Sequence, residues 1–328
     1  MDINQKDLLV TLADANFVTQ AKQLFSSVYF NAGWEGDYLL LACGISEADL
    51  NWFRAKGILV YERPFLADSP LGVKAYPPIV LSKLYLFKEY FKSWSKIIFL
   101  DADIIVQASL DDLLNLTGFN APKAETFRLR HEFIVDKNKN KEIRKKYNFR
   151  ALAFNTGILV FDSKLIKEDT YSELIALYNQ YKDLYQYQEE SALNLFFYQK
   201  WNRLPITYNS APAHMSYIYK INKNKLLAIV IHFFCEKIKP WDSQSLYYEE
   251  WSNNLRKAEK IDLQKRPAAA GTIGAEEQRR YLRKLKRRRI FYFPSRLIDH
   301  YIGQIGLLIK KINPKLYELI RLKKDEKQ

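Results

Sequence analysis

The first hundred residues alternate short apolar runs with amphipathic segments. The apolar runs have the length of β-strands and include LLVTLA, DYLLLACG, ILVYER and KIIFLDADIIV. The segments between them, such as VTQAKQLFSSVYFN and EADLNWFRAKG, have the spacing of helices that bury one face. This alternation is typical of βαβ units, in which helices cover both faces of a mostly parallel sheet. We therefore predict an α/β fold with a Rossmann-like, mixed but mostly parallel sheet.

The same pattern continues to about residue 260 and then changes. Two later strands are predicted by ALAFNTGILVFD and KLLAIVIHFF, and two helices by YSELIALYNQYKDLY and ESALNLFFYQKW. Residues 261–275 include most of KRPAAAGTIGAEE, whose small residues, Pro and Gly indicate a linker. We expect a main domain over residues 1–260, a linker over 261–275 and a basic amphipathic helical tail over 276–328.

The net charge of +14 is concentrated in the tail. From Glu276 to the end there are 16 Lys and Arg against six Asp and Glu, a net charge of +10 that leaves +4 for residues 1–275. The basic character of the chain therefore says little about the substrate of the main domain.

The cysteine content and the apolar runs indicate the compartment. Cys43 and Cys235 are too few for a disulfide framework, and no CxxC pair indicates zinc. The sequence contains no leader-like start and no uninterrupted apolar run of about 18 residues. We expect a protein of a reducing compartment, the cytoplasm.

Two carboxylates interrupt the apolar run KIIFLDADIIV. Because a lone buried carboxylate is costly to desolvate, such groups are normally paired or bound to a metal. Residues i and i+2 of an extended chain share a face, so Asp101 and Asp103 would form one pair of oxygen ligands beside Ala102. The pair falls at the end of about the fourth predicted strand, where ligands of parallel sheets bind. A hard divalent cation fits these ligands.

Three later segments gain weight when they are taken together with this pair. FNTGILVFD places Asn155 at a break before a strand, YQEESALNLFF places Glu189 and Glu190 at a helix start, and IHFFCEKIKPW places His232 after a strand and Lys239 in a loop. Each has an ordinary explanation on its own: a strand irregularity, acids that favour a helix dipole, and a packed histidine.

In this order, the segments resemble the family 8 glycosyltransferases, retaining enzymes of GT-A fold, over roughly residues 7–245. The resemblance depends on FLDADIIV, on LSKLYLF before it, on FNTGILVF, on the Leu-Asn pair of SALNLF and on HFFCEKIKPW. It implies a hexosyltransferase that moves a hexose from a UDP-sugar to a glycan, lipid-linked or protein acceptor.

The resemblance also implies a donor site. Asp101, Asp103 and His232 would bind Mn²⁺, with Mg²⁺ as the alternative, and this metal would bridge the diphosphate of the donor. Lys239 would add positive charge to the phosphates, and Lys83 would contact the donor sugar or phosphate. Nucleotide contacts would come from the end of the first strand. The expected donor-binding residues are Thr11, Leu12, Ala13, Lys83, Asp101, Ala102, Asp103 and Lys239.

The chain departs from the family pattern at the sugar. Where many members have Asp-Gln, this sequence has Glu189 and Glu190. We expect Glu190, Glu189 and Asn155 to face the reacting sugar. Two routes to retention stay open, a covalent intermediate on Glu190 and the front-face, ion-pair-like route usually favoured for the family.

Two other functions compete with this interpretation. A phosphatase with a DxD nucleophile is less favoured, because that motif normally opens its fold and here it follows several βα units. A degenerate transferase domain whose tail binds a membrane or nucleic acid is the other. We expect no nucleic acid partner, because the basic run of the tail is interleaved with apolar stretches.

The tail combines the basic run RRYLRKLKRRR with an apolar stripe at helical spacing, Leu297, Tyr301, Ile305 and Leu308. A helix of this kind lies in the interface of an anionic membrane, so we expect peripheral docking on the inner face of a membrane. The alternative is that the stripe packs on the catalytic domain or on a second copy in a homodimer. We expect acceptor contacts in residues 121–150 and in the tail.

Overall fold

A seven-stranded mixed sheet forms the centre of the computed structural model, which describes residues 5–67, 76–124, 128–134, 140–234, 236–265, 267, 270–294 and 311–312. Its strands lie in the order β3-β2-β1-β4-β7-β6-β8, and a second, two-stranded sheet pairs β5 with β9. The strands are β1 (Leu8–Ala13), β2 (Asp37–Ala42), β3 (Leu59–Glu62), β4 (Lys96–Leu100), β5 (Ile104–Val106), β6 (Phe119–Pro122), β7 (Ile158–Asp162), β8 (Trp201–Leu204) and β9 (Val230–His232).

Helices cover both faces of the large sheet. Eight α-helices lie within the described residues: α1 (Val18–Ser27), α2 (Glu47–Ala55), α3 (Lys141–Lys146), α4 (Thr170–Tyr181), α5 (Glu189–Phe196), α6 (Pro212–Tyr219), α7 (Tyr248–Ala258) and α8 (Ala275–Phe291). A π-helical turn, Val28–Ala32, extends α1. The segment around LSKLYLF forms 3₁₀ turns over Pro78–Phe87 and Glu89–Ser93. Shorter 3₁₀ turns are Ala15–Phe17, Asp111–Asn115, Leu129–Glu132, Ser163–Leu165, Lys182–Leu184, Ile206–Tyr208 and Lys223–Lys225.

One strand of the large sheet runs against the others. β1 pairs in parallel with β2 and β4, β2 with β3, and β6 with β8, whereas β7 pairs antiparallel with both β4 and β6. The start of β7 therefore lies at the same edge of the sheet as the ends of β1, β4 and β6. This confirms the predicted α/β fold with a mixed, mostly parallel sheet.

The sheet is apolar on both faces because helices cover both. Along β4, Ile97 and Phe99 pack into one core, and Ile98 and Leu100 pack into the other. This explains why the predicted strands are almost continuously hydrophobic instead of alternating.

The predicted linker region is attached to the main domain at Gly271. The amide of Gly271 donates to the carbonyl of Asn31, its carbonyl accepts from the amide of Ser109, and Ile273 packs against one of the two cores. The helix that follows, α8, packs Tyr281 and Leu285 against α6. The basic run of the tail is thus docked on the domain, whereas the predicted apolar stripe over residues 297–308 lies outside the described residues.

Within the part of the chain that the structure describes, no helix is both long enough and apolar enough to cross a membrane.

Candidate active site

The Asp101-Ala102-Asp103 segment is a bend between β4 and β5 and not a continuous extended strand. The chain turns here from the large sheet into the small one. The amide of Asp101 donates to the carbonyl of Gly157 over 2.8 Å, which holds the bend against the start of β7. The two carboxylates converge as the sequence predicts, but a bend brings them together where we expected the alternation of a strand.

The small sheet brings His232 to the two carboxylates. β5 and β9 pair antiparallel with Ile104 opposite His232, and the amide of Phe233 donates to the carbonyl of Asp103 over 3.1 Å. Nε2 of His232 lies 3.1 Å from Oδ1 of Asp103 and 3.8 Å from Oδ2 of Asp101. One ligand atom from each of the three residues lies within 4.8 Å of the others, a spacing that could hold a metal ion.

Gly157 makes room for this group. A Cβ at this position would overlap Cε1 of His232 and would lie 3.0 Å from Oδ2 of Asp101. The glycine of the Asn-Thr-Gly break is therefore required by space, because any side chain would enter the volume between the carboxylates and the imidazole.

The orientation of the His232 ring is fixed through its other nitrogen. Nδ1 lies 2.8 Å from Oδ1 of Asn209, and the side-chain amide nitrogen of Asn209 donates to Oδ1 of Asn155 over 3.4 Å. Because this amide presents its oxygen to the ring, Nδ1 can donate to it, and Nε2 then faces the two carboxylates. Nε2 is buried and its nearest polar neighbours are the oxygens of Asp103 and Asp101, so the three groups can share one metal ion.

Lys83 lies beneath the site as a buried cation. Its ammonium group contacts Oδ1 of Asp101 at 3.0 Å and Oε1 of Glu189 at 3.4 Å, and donates to the carbonyl of Thr156 over 3.2 Å. Burial lowers the pKa of Lys83, but the charges of Asp101 and Glu189 outweigh it and leave that pKa above its ordinary value. The lysine is therefore charged, and an ordinary solvated lysine is excluded because Lys83 is only 4% exposed.

Lys239 neutralises the other carboxylate. Its ammonium group lies 2.9 Å from Oδ2 of Asp103 and 2.7 Å from the carbonyl of Phe233. Burial raises the pKa of Asp103, but His232 and Lys239 more than offset this and hold that pKa far below its ordinary value. Asp103 is therefore ionised and available as a ligand.

The two acids at the start of α5 have different partners. Glu189 faces Lys83, whereas Oε2 of Glu190 accepts from the side-chain amide of Asn155 over 2.8 Å and from the backbone amide of Thr156 over 3.0 Å. Burial and then the charge of Glu189 raise the pKa of Glu190 to about 7. Burial also raises the pKa of Glu189, against the effect of Lys83.

A cleft of about 480 Å³ joins these groups. It combines the carboxylates, the histidine and Lys83 with aromatic side chains that sequence reasoning did not single out, Tyr76, Tyr187 and Phe234. Its lining consists of Tyr76, Val80, Lys83, Asp101, Asn155, Thr156, Tyr187, Glu189, Glu190, His232 and Phe234. A cavity of this size accommodates a small organic ligand.

The predicted nucleotide-binding residues lie elsewhere in the same edge region. Thr11, Leu12 and Ala13 form the end of β1, all with 9% exposure or less, and the hydroxyl of Thr11 donates to the carbonyl of Leu100 over 2.7 Å. Their side chains are thus part of the sheet interior, and contact with a nucleotide through this end of β1 stays a prediction. Ala102 is buried between the two aspartates.

Two further residues position the site without a strong signal in the sequence. Asn209 orients His232, as described above. Asn194, the Asn of the Leu-Asn pair, accepts from the amide of Phe154 and donates to its carbonyl, both over 2.8 Å. It so attaches α5 to the residue that precedes Asn155. Of these two residues, only Asn194 lies within a segment that the sequence had singled out.

The charges and ligand atoms of the site fit a divalent cation. Among the described residues, four carboxylates meet there, those of Asp101, Asp103, Glu189 and Glu190, against the ammonium groups of Lys83 and Lys239. The volume cleared by Gly157 and Nε2 of His232 lie between the two aspartates. Oxygen ligands with one imidazole favour a transition metal such as Mn²⁺ over Ca²⁺.

The fold and this site define an α/β domain of GT-A type with an Asp-Asp-His centre at the carboxyl edge of its sheet. The chain belongs to glycosyl transferase family 8, whose family model matches residues 12–245. The match confirms the predicted family, and it favours a transferase over the phosphatase alternative.

Solved structures share the fold. The galactosyltransferase LgtC, in complex with donor and acceptor sugar analogues, is 21% identical with a TM-score of 0.61 over 82% of this chain and 98% of that one. The glycosyltransferase GlyE of Streptococcus pneumoniae is 19% identical with a TM-score of 0.56 over 80% of this chain and 63% of that one.

Curated relatives match about half of this chain. The glycosyltransferase GlyB of Streptococcus pneumoniae is 30% identical over 182 residues, which are 51% of this chain and 40% of that protein. A probable glycosyl transferase of Streptococcus gordonii is 26% identical over 171 residues, 51% of this chain and 23% of that protein. The chain thus spans less than half the length of either relative.

Gly157→Ala should disrupt the Asp-Asp-His centre without unfolding the protein. The added methyl group displaces His232 or Asp101, so we expect the affinity for Mn²⁺ to fall about tenfold to a hundredfold. Calorimetric titration of Mn²⁺ measures this. Gly274→Ala is the matched control, because a Cβ there meets no atom within 4 Å. Equal Mn²⁺ affinity in the wild type and Gly157→Ala would contradict the site.

Glu190→Gln should change how stability depends on pH. With a folded pKa of about 7 against an ordinary value of 4.5, the folded protein keeps a proton that the unfolded chain releases. The resulting stability is fully present below pH 4.5 and is lost as the pH rises to 7. We expect the variant to be more stable than the wild type at pH 7.5 by about 2 kcal/mol, because partial exposure reduces the full 1.36 kcal/mol per pKa unit.

Urea unfolding at pH 4.5, 6 and 7.5 measures this difference. The matched control is Glu173→Gln, an exposed acid in the first turn of α4. If the gain on going from Glu to Gln is the same at all three pH values, Glu190 has an ordinary pKa and the assignment of its environment is wrong.

Proposed function

We propose that the chain transfers a hexose from a UDP-sugar to a glycan or lipid-linked acceptor, with retention of anomeric configuration and with a bound divalent cation. The convergence of Asp101, Asp103 and His232 carries this proposal, with Asp101 and His232 lining one wall of the 480 Å³ cleft. The galactosyltransferase LgtC, a structural neighbour solved with donor and acceptor sugar analogues, supports it.

The aspartates and the histidine would hold the cation, Mn²⁺ in preference to Mg²⁺. When bound, the cation offsets negative charge on the departing nucleoside diphosphate. Lys239 lies 2.9 Å from Asp103 and can exchange this contact for one to a phosphate oxygen, because its flexible ammonium group acts as a point charge. Positive charge fixed before the reaction stabilises the leaving group without reorganisation.

The opposite wall of the cleft would bind the sugar. Glu190 uses Oε2 for Asn155 and Thr156, and within the described residues Oε1 accepts no hydrogen bond. The carboxyl group is therefore fixed by one oxygen and offers the other to a sugar hydroxyl. An ionised Glu190 also stabilises positive charge that develops on the anomeric carbon. We favour this role, and with it the front-face route, because the hydrogen bonds that Oε2 accepts from Asn155 and Thr156 hold the carboxyl group in a fixed position.

The tail would bring this site to its acceptor. Docked α8 already presents a row of basic side chains, including Arg283, Lys286 and Arg287, at exposed positions. Each Lys or Arg near an anionic lipid surface contributes about 1 kcal/mol to binding. Peripheral attachment to a membrane would suit a lipid-linked acceptor.

Asp103→Asn should abolish most of the activity. It removes a charged ligand and the partner of Lys239, and the loss of one such transition-state interaction costs about 10²- to 10³-fold in rate. A screen of UDP-sugars with Mn²⁺, which measures release of UDP, tests both the donor class and the variant. The control is Asp111→Asn at an exposed position. The proposal fails if no UDP-sugar is hydrolysed by the wild type, or if Asp103→Asn retains near-normal turnover.

Truncation after Pro294 should release the protein from anionic vesicles. This cut keeps α8 and its packing on α6, so the catalytic domain stays intact, and it removes the predicted apolar stripe. We expect the full chain to float with vesicles that contain phosphatidylglycerol, less so at high salt, and the truncated chain to remain in the lower fraction. Equal flotation of both proteins, or none by the full chain, would remove the stripe as the anchor.

A further inference from the structure

Four basic residues collect beside the catalytic cleft from separate parts of the chain. We refer to Lys123, Arg128, Arg203 and Arg289 as the cationic cluster. Lys123 follows β6, Arg128 precedes the 3₁₀ turn Leu129–Glu132, Arg203 belongs to β8, and Arg289 lies near the end of α8. Because the four charges come from four separate parts of the chain, no local run of the sequence reveals the cationic cluster.

The sheet register explains the first contact. Ala121 of β6 lies opposite Arg203 of β8 in a parallel pair. Lys123 is two residues after Ala121 and therefore shares its face of the sheet, diagonal to Arg203. Arg289 of α8 completes the group because its charge acts on Lys123, while Tyr281 and Leu285 dock the same helix on α6.

The four charges act on one another. Burial, followed by the charges of Arg289, Arg203 and Arg128, lowers the pKa of Lys123 to about 8. Bringing like charges together costs free energy, and a bound anion offsets that cost.

The cluster borders the sugar-binding wall. Lys123 pairs with Phe154, and the amide of the next residue, Asn155, donates to the carbonyl of Pro122 over 2.8 Å. Asn155 in turn contacts Glu190. Lys123 is thus adjacent in sequence to Pro122, whose carbonyl fixes the backbone of Asn155.

Positive charge continues outward from the cluster. Among the described residues, the amide of Ala124 donates to the carbonyl of Ala153 over 3.0 Å, and the amide of Arg130 donates to the carbonyl of Phe149 over 3.0 Å. Arg130 and Phe149 line a groove of about 680 Å³, the basic groove, whose cationic lining residues are Arg130, Arg144, Lys145, Lys146 and Arg150.

We propose that the cationic cluster and the basic groove bind phosphate or carboxylate groups of the acceptor, so that the enzyme extends an anionic glycan. This inference rests on the proposed function and names the class of its acceptor. Arginine suits this role because its planar guanidinium binds phosphate or carboxylate through two parallel hydrogen bonds. The cluster lies on the acceptor side because the donor diphosphate is assigned to Lys239 and the Asp-Asp-His centre.

Binding of two labelled sugars by the full chain tests the inference. The probes are a fluorescent dextrin of seven glucose units and the same dextrin carrying phosphate monoesters, both in EDTA so that no metal takes part. We expect the wild type to prefer the phosphorylated dextrin at low salt. Arg203→Gln and Arg289→Gln should each weaken that binding about threefold to tenfold. Arg256→Gln is the matched control, because it removes the same charge from an exposed position of α7, a helix that packs on α1.

Several results would overturn the inference. Equal weakening by Arg256→Gln would mean that net charge alone attracts the probe. Competition by inorganic phosphate as strong as that by the phosphorylated dextrin would mean an adventitious ion only. If the protein binds phosphatidylglycerol vesicles through Arg203 but binds neither dextrin, this surface contacts a membrane and not a glycan, and the inference is wrong.

The failure of this inference is distinct from the failure of the proposed function. If the wild type hydrolyses a UDP-sugar with Mn²⁺ but all the proteins bind the phosphorylated dextrin alike, the acceptor class is wrong and the transferase assignment stands. If the wild type hydrolyses no UDP-sugar, the proposed function itself fails.

Discussion

Lys83 carries its ammonium group into the carboxyl edge of the sheet, where it contacts Asp101 at 3.0 Å and Glu189 at 3.4 Å. Buried carboxylates are tolerated only when they are paired or bound to a metal. This one cation therefore allows the chain to place acids from β4 and from α5 against each other. Lys83 also donates to the carbonyl of Thr156, and so attaches a third segment, the break before β7, to the same cation. These three segments are far apart in sequence. The geometry of the cleft depends on the charge of Lys83, because all three contact it.

The three candidate metal ligands depend on a second constraint, the antiparallel pairing of β5 with β9. It places His232 opposite Ile104, next to Asp103, although about 130 residues separate the histidine from the aspartate. The imidazole reaches the carboxylates only because Gly157 has no side chain, and Asn209 sets which nitrogen faces them. The centre is thus assembled from the ends of several strands, which leaves each ligand held by backbone pairing and not by a flexible loop.

The sequence predicts those parts of this arrangement that have local signals. The alternation of apolar and amphipathic segments predicts the mixed sheet, and the Asp pair, the Asn-Thr-Gly break and His232 predict one edge of it. Asn209 escaped prediction because a polar residue in YNSAPAH has no distinctive pattern, and its role exists only through contacts with His232 and Asn155. Composition likewise predicts a linker around Gly271. In the structure, backbone hydrogen bonds to Asn31 and Ser109 attach this segment to the domain. Side-chain composition does not encode such backbone contacts.

The start of α5 combines backbone strain with the placement of charge. Gln188, which precedes the two acids, has a φ of 51°, a conformation that costs a residue other than glycine about 1 to 3 kcal/mol. Its buried side chain accepts from the hydroxyl of Tyr178 over 2.9 Å, which helps to offset that cost. The helix then begins at Glu189, so that consecutive acids face different partners, Lys83 and the Asn155-Thr156 break. Because the charge of Glu189 is the largest influence on the pKa of Glu190 after burial, the ion pair between Glu189 and Lys83 also affects the protonation of Glu190. The strained turn thereby links the buried cation that organises the site to the carboxyl group proposed to act on the substrate.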